Sequence, residues 1–314
     1  MPIDPQQLDE LVAEAVEVGR NAAAGGAPAN YIPELARADP GWVAIAVNTL
    51  DGHECVAGDR SVDFTLQSVS KVFSLACQLR AGDDALWDRV QMEPSGDAFH
   101  SIVRLEEEQG RPRNPLINAG AIVVSSRLAG HDPASRIETF RDFLRDASGR
   151  GTSRFAMDEA VYLSECRTGF RNLALANYMK HFGVIEDPRE ATDTYFRQCA
   201  LTVNVAELAR MGLFLANSGV DPITETRLLS EGDNRMIVAL MTTCGLYDEV
   251  GRFAVRVGIP AKSGVSGAVL GIIPGRMSIA CYGPALGPLG NSLAGIAMLE
   301  VIVNRLRLSV CESR

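Results

Sequence analysis

Strand-like patterning is confined to the two ends of this chain, and the long middle carries helical periodicity alone. Near the start, Trp42 to Thr49, Glu54 to Ala57 and Ser61 to Leu66 are separated by Asp51-Gly52 and Gly58-Asp59, and read as a three-stranded meander. Near the end, Phe253 to Val257, Ala268 to Ile273 and Met277 to Tyr282 read as a second meander, with Pro274-Gly275-Arg276 linking its last two strands. Between them apolar residues recur at helical spacing over 69–80, 99–109, 119–129, 134–147, 157–166, 171–182, 203–217 and 233–243, divided by Gly and Pro. One further helix is predicted from about Pro5 to Gly19 and a closing one at about 292–306. This order predicts an α+β fold: one antiparallel sheet built from both chain ends, flanked by helices, with a helical middle region. No linker, repeat or low-complexity tract divides the chain. Residues 1–314 are therefore read as one domain, with a sheet region at about 1–68 plus 250–314 and a mainly helical region at about 69–249.

At 314 residues and 46% hydrophobic the chain can fill a sizeable core. Its net charge of −9 argues against a nucleic-acid backbone or an anionic membrane as partner. Seven cysteines, an odd number with no CxxC pair, suggest neither a disulfide framework nor a thiolate zinc site. The acidic, amphipathic start resembles no export signal, and no run approaches 18 apolar residues, so a cytoplasmic location is expected. His53, His100, His131 and His181 show no metal-binding spacing, and no Walker or dinucleotide fingerprint occurs. Neither metal nor cofactor is expected.

Chemistry first enters at Gln67-Ser68-Val69-Ser70-Lys71, where the alternating run ends and a helical stripe begins. In a helix starting there, Ser68 and Lys71 are i and i+3 neighbours, with Cβ atoms about 5–6 Å apart. A hydroxyl can then meet an amine, and amide groups at the helix start favour negative charge on an alkoxide or oxyanion. Lysine acts as a base only when neutral, a state that burial promotes. Against 27 arginines the chain has three lysines, Lys71, Lys180 and Lys262, and two of them lie in candidate motifs. Ser68 or Ser70 would serve equally as an N-cap.

The second motif is Lys262-Ser263-Gly264-Val265. It is either a turn with an exposed lysine or a strand bordering a site, and the strand–SxxK–helix context favours the site. Class A β-lactamases and penicillin-binding proteins pair S-x-x-K with K-T-G and S-D-N; no S-D-N occurs here, which argues against either enzyme proper. Three stretches between the motifs are rich in amide, acid and aromatic groups: Asn114 to Ile122, Glu165 to Asn172 and Thr242 to Asp248. Asn118 reads as a cap for a helix starting at Ala119. Glu165 and Asn172 are seven apart, but Gly169 between them removes any assurance of a shared helix face.

The stretches TLQSVSKVF, GRPRNPLINAGAI, ECRTGFRNLALANYM, TYFRQCALTV, TTCGLYD and IPAKSGVSGAVLGI resemble, in sequence and order, the serine-dependent glutaminase family of bacterial type. The resemblance runs from about Tyr31 to the closing helix. It implies a serine β-lactamase/penicillin-binding-protein-like fold and hydrolysis of L-glutamine to L-glutamate and ammonia through a serine acyl-enzyme. By the same resemblance Ser68 is the nucleophile and Lys71 its base, Tyr247 relays protons, and Tyr31 is a second tyrosine nearby. Backbone N–H groups of Ser68 and Val265 form the oxyanion hole, and Asn118, Glu165, Asn172 and Tyr195 hold glutamine, with the acid suited to its α-ammonium group. Lys262 is given a field or structural part, and a homodimer or homotetramer is implied. The chain departs from the family at His100, often Asn, and at Val265-Ser266-Gly267-Ala268, usually richer in Gly. A β-lactam hydrolase or esterase, or a binding protein on the same fold, is the alternative.

Overall fold

A computed structural model describes residues 4–95, 102–149 and 155–312, so His100 and the start of the helix expected at 99–109 lie outside the described residues. The chain begins with α1 (Pro5–Ala23), capped by Asp4, followed by the hairpin of β1 (Ala44–Thr49) and β2 (Glu54–Gly58). A two-residue strand, β3 (Phe64–Thr65), leads through a 3-10 turn at Gln67–Val69 into α2 (Ser70–Arg80). Six helices follow: α3 (Ile102–Glu107), α4 (Asn118–Ser126), α5 (Pro133–Ala147), α6 (Glu159–Thr168), α7 (Phe170–His181) and α8 (Pro188–Cys199). After β4 (Thr202–Val203) come α9 (Val205–Ala216), α10 (Glu231–Cys244) and α11 (Val250–Arg256). β5 (Ala261–Ser263), β6 (Ala268–Ile273), β7 (Met277–Tyr282) and α12 (Leu293–Leu306) complete the chain.

The two chain ends do share one antiparallel sheet, in the order β2-β1-β7-β6-β5. Its central strands are buried on both faces, and strand alternation divides their side chains between two cores. Ile45, Val47, Val269, Ile279 and Cys281 pack with α1 and α12. Ala44, Ala46, Leu270, Ala280 and Tyr282 face the helical region. The small residues on that second face let α9 lie close: a Cβ on Gly212 would collide with Ser278 Oγ.

Two expectations are corrected. Ser61 to Leu66 is no third meander strand, because β1 is already flanked by β2 and β7, and the chain turns away after Gly58. Only Phe64–Thr65 pairs, with Thr202–Val203, and Phe64 stacks on Tyr282 at 4.3 Å between ring centroids. The alternation was real, but it serves the helical core. Phe253 to Val257 is helix rather than strand: Phe253 and Val257 are buried and Val255 is 89% exposed, an i, i+4 pattern that five residues cannot distinguish from alternation. The sequence reading also passed over α8, which Asp187 caps and Pro188 opens.

Candidate active site

Ser68 sits where the helical region joins the sheet. Gln67, immediately before it, is held at φ +45°, in the left-handed region, and the Ser70 hydroxyl donates to its carbonyl at 2.6 Å. Ser70 therefore braces this turn and caps no helix. Ser68 lies in the 3-10 turn ahead of α2, and Lys71 in the first turn of that helix. Gly264, after β5, packs against the same turn: a Cβ there would meet the Leu66 carbonyl and the Ser68 amide nitrogen. That close approach brings Val265 to the serine's side.

Ser68 opens into a cavity of about 380 Å³. Its lining includes Tyr31, Asn118, Glu165, Asn172, Tyr195, Tyr247 and Val265, so eight of the nine residues singled out from the sequence meet at one place. The ninth, Lys71, lies behind the wall and is 1% exposed. Its ammonium group donates to Asn118 Oδ1 at 2.7 Å and to the Leu116 carbonyl at 3.3 Å. Asn118 is thus no helix cap. Its side chain turns inward, accepts from Tyr195 at 3.3 Å and donates to Asn172 Oδ1 at 3.0 Å. Glu165 ends one helix and Asn172 opens the next, and the break at Gly169 aims both at the same space. Gln67, which the sequence reading left without a part, donates to Glu165 Oε1 at 2.9 Å. Thr168, Arg171 and Phe196 also line the cavity without having been singled out; Arg171 adjoins Asn172 in the stretch already noted, and that adjacency was the available signal.

Burial shapes the charges here. It brings the Lys71 amine down to about 8, against the opposing pull of Cys199 and Glu165. It raises the Glu165 carboxyl to about 8, with the Gln67 hydrogen bond and the Lys71 charge opposing. Tyr247 is pushed up to about 12, again by burial, and hydrogen bonds with Ser68 and Ser263 counter it. A hydroxyl and a phenol thus line the cavity with an acid and two amides, and the buried Lys71 amine lies behind them, bonded to one of the amides. Such a set can move a proton off a nucleophile while holding a zwitterion. Among the described residues no group of three His, Cys, Asp or Glu side chains is placed to hold a metal.

A family model described as Glutaminase matches residues 26–311. A glutaminase of Rhodopseudomonas palustris is 49% identical over 307 residues, covering 97% of this chain and 98% of that protein. The solved structure of the probable glutaminase ybaS superposes with a TM-score of 0.93 at 36% identity, over 99% of this chain and 100% of that one. A Bacillus subtilis glutaminase, solved as a covalent complex with 5-oxo-L-norleucine formed by reaction with 6-diazo-5-oxo-L-norleucine, has a TM-score of 0.87 at 35% identity, over 96% and 99% of the two chains. The fold matches solved glutaminase structures, and the full-length relatives make the chain an amidohydrolase. Within that class the chain belongs to the glutaminase family.

Proposed function

We propose that this chain hydrolyses L-glutamine to L-glutamate and ammonia, with Ser68 as nucleophile. The observation that carries the reading is the cavity itself, which sets Ser68 opposite Glu165, Asn118, Asn172 and Tyr195 within about 380 Å³. Lys71 accepts the Ser68 proton, and the serine oxygen attacks the side-chain carboxamide carbon. The oxyanion is held by the backbone N–H groups of Ser68 and Val265. Tyr247, hydrogen-bonded to Ser68, passes its proton to the departing nitrogen, which leaves as ammonia, and regains the one that Lys71 took from Ser68. Water then cleaves the acyl ester and releases glutamate. Glu165 receives the substrate α-ammonium group, and the amide and hydroxyl groups of Asn118, Asn172 and Tyr195 orient its other end. Tyr31, 56% exposed at the cavity wall, closes the site from outside.

Support for a covalent route comes from the Bacillus subtilis relative, whose diazo ketone ligand carries a diazomethyl carbon where glutamine has its amide nitrogen and ends bonded to that protein. The cavity is walled by both the sheet region and the helical region, which favours one functional domain. No described helix is long and apolar enough to cross a membrane, and all seven cysteines are free, which suits a reducing cytoplasm. A homodimer or homotetramer is the assembly the family resemblance implies. Sedimentation velocity tests it, and a monomer at micromolar concentration would overturn it.

The reaction is tested by ammonia release from L-glutamine beside Ser68→Ala, with L-asparagine and a chromogenic β-lactam as further substrates. Glutamine turnover falling by at least about 10⁴-fold in the variant is the expected outcome. Turnover of the β-lactam but not of glutamine would overturn the substrate.

A further inference from the structure

Lys262 is the second fully buried lysine of the molecule, and the proposed reaction leaves it unused. It lies in β5, between the Ser68 turn and the loop that carries Tyr247. The charged or titratable neighbours that act on it are another lysine, Lys71, and Cys244, and no described carboxylate pairs with it. Burial and Lys71 both oppose its charge. An unpaired buried lysine is costly, and one retained at 0% exposure beside a site calls for a compensating set of contacts.

Those contacts all converge on Tyr247. The amino group donates to the Gly245 carbonyl at 2.9 Å and to the Ser263 carbonyl at 2.6 Å, and it lies 4.4 Å from the centre of the Tyr247 ring. The two carbonyls take two N–H donors of the amino group, and the ring covers its remaining side. The Ser263 carbonyl is also where the Tyr247 hydroxyl reaches, at the longer distance of 3.4 Å. Lys262 thus shares the Ser263 carbonyl with the Tyr247 hydroxyl and packs on the same ring, which fixes where the phenol lies. A second clamp holds the same loop. Asn291, 1% exposed, donates to the Leu246 carbonyl at 3.3 Å and accepts from the Ser263 hydroxyl at 2.6 Å. Tyr247 itself stands at φ +50°, a left-handed conformation that a tyrosine keeps only where its surroundings impose it.

We infer that Lys262, backed by Asn291, is a positioning residue that ties the Gly245–Tyr247 turn to β5 and keeps the Tyr247 phenol directed at Ser68. The inference rests on the proton-relay reading of Tyr247, and the test separates the two. Wild type, Lys262→Met, Tyr247→Phe and the double variant are compared in steady-state turnover of L-glutamine. Lys262→Met is expected to lower kcat by about 10²-fold, the size of one proton-transfer contribution, with KM within about threefold. Placed on Tyr247→Phe, the same change should cost less than about threefold more, because the group it positions is gone. Equal losses in both backgrounds, or a raised KM with unchanged kcat, would overturn the inference while leaving the role of Tyr247 intact. Wild-type turnover by Tyr247→Phe would instead overturn that role. If Lys262→Met does not fold, Asn291→Ala, which buries no charge, goes through the same cycle. A loss in kcat of about tenfold that disappears on Tyr247→Phe is expected, and additivity rejects the clamp.

Discussion

The cavity has two walls built on different principles. On the sheet side, Val265 and Tyr247 are placed by backbone: Gly264 against the Ser68 turn, a left-handed tyrosine, and carbonyls of Gly245, Leu246 and Ser263 held by Lys262 and Asn291. On the helical side, Asn118, Glu165, Asn172 and Tyr195 come from four different helices and are joined to each other, or to Gln67 and Lys71, by side-chain hydrogen bonds. Moving a proton and holding a developing oxyanion require fixed donors, which a hydrogen-bonded strand edge supplies. Recognising an amino acid requires several chemical types at several angles, which helix ends supply. On the proposed mechanism, chemistry falls to the sheet wall and its junction, and recognition to the helical wall.

The largest effect expected after loss of the nucleophile lies at that junction. Lys71→Met should lower kcat by about 10³- to 10⁴-fold with a modest change in KM, because it removes the base and no substrate contact. Stopped-flow turnover checks this, and a variant impaired mainly in KM would move Lys71 to the recognition side. Glu165→Gln should do the opposite, raising KM by about 10²-fold and leaving kcat within several-fold, since it discharges the partner of the α-ammonium group. A loss confined to kcat would break the division between walls.

The smallest effect links the two. Lys71 must be neutral to accept a proton and Glu165 ionised to hold the α-ammonium group, and burial brings both to about 8, so kcat/KM should rise with pH through that value. Glu165 and Cys199 both act to raise the lysine's pKa. Glu165→Gln removes one of those influences and should move the rising limb to lower pH by less than about one pH unit. A limb displaced upward would mean that Glu165 acts on Lys71 other than through its charge. The profile of kcat/KM for the two proteins, measured over the same buffers, decides the matter.

Much of this architecture was legible because it is locally encoded. The apolar periods of α2, α9 and α12 and the short, turn-bounded, largely apolar runs of β1, β6 and β7 are properties of short windows, and each forms the element read from it. Misreadings fell where one window allows two answers. Phe253 to Val257 is too short to separate alternation from one helical turn, and Ser61 to Leu66 alternates without joining the sheet. Asn118 has the composition of a cap, yet its amide is claimed by Lys71, Tyr195 and Asn172, contacts that lie 47, 77 and 54 residues away.

The sequence by itself determined the α+β layout, the placing of Ser68 three residues before Lys71 and, through resemblance, the residues that gather around them. Only the tertiary structure decided that Lys71 and Lys262 are both buried, that Gln67 and Tyr247 are left-handed, and that the Asn118 side chain turns inward to Lys71 and Asn172. Periodicity is written into neighbouring residues. Burial, backbone strain and the choice of hydrogen-bond partner depend on what other segments bring to the same place, and no single stretch of chain contains that information.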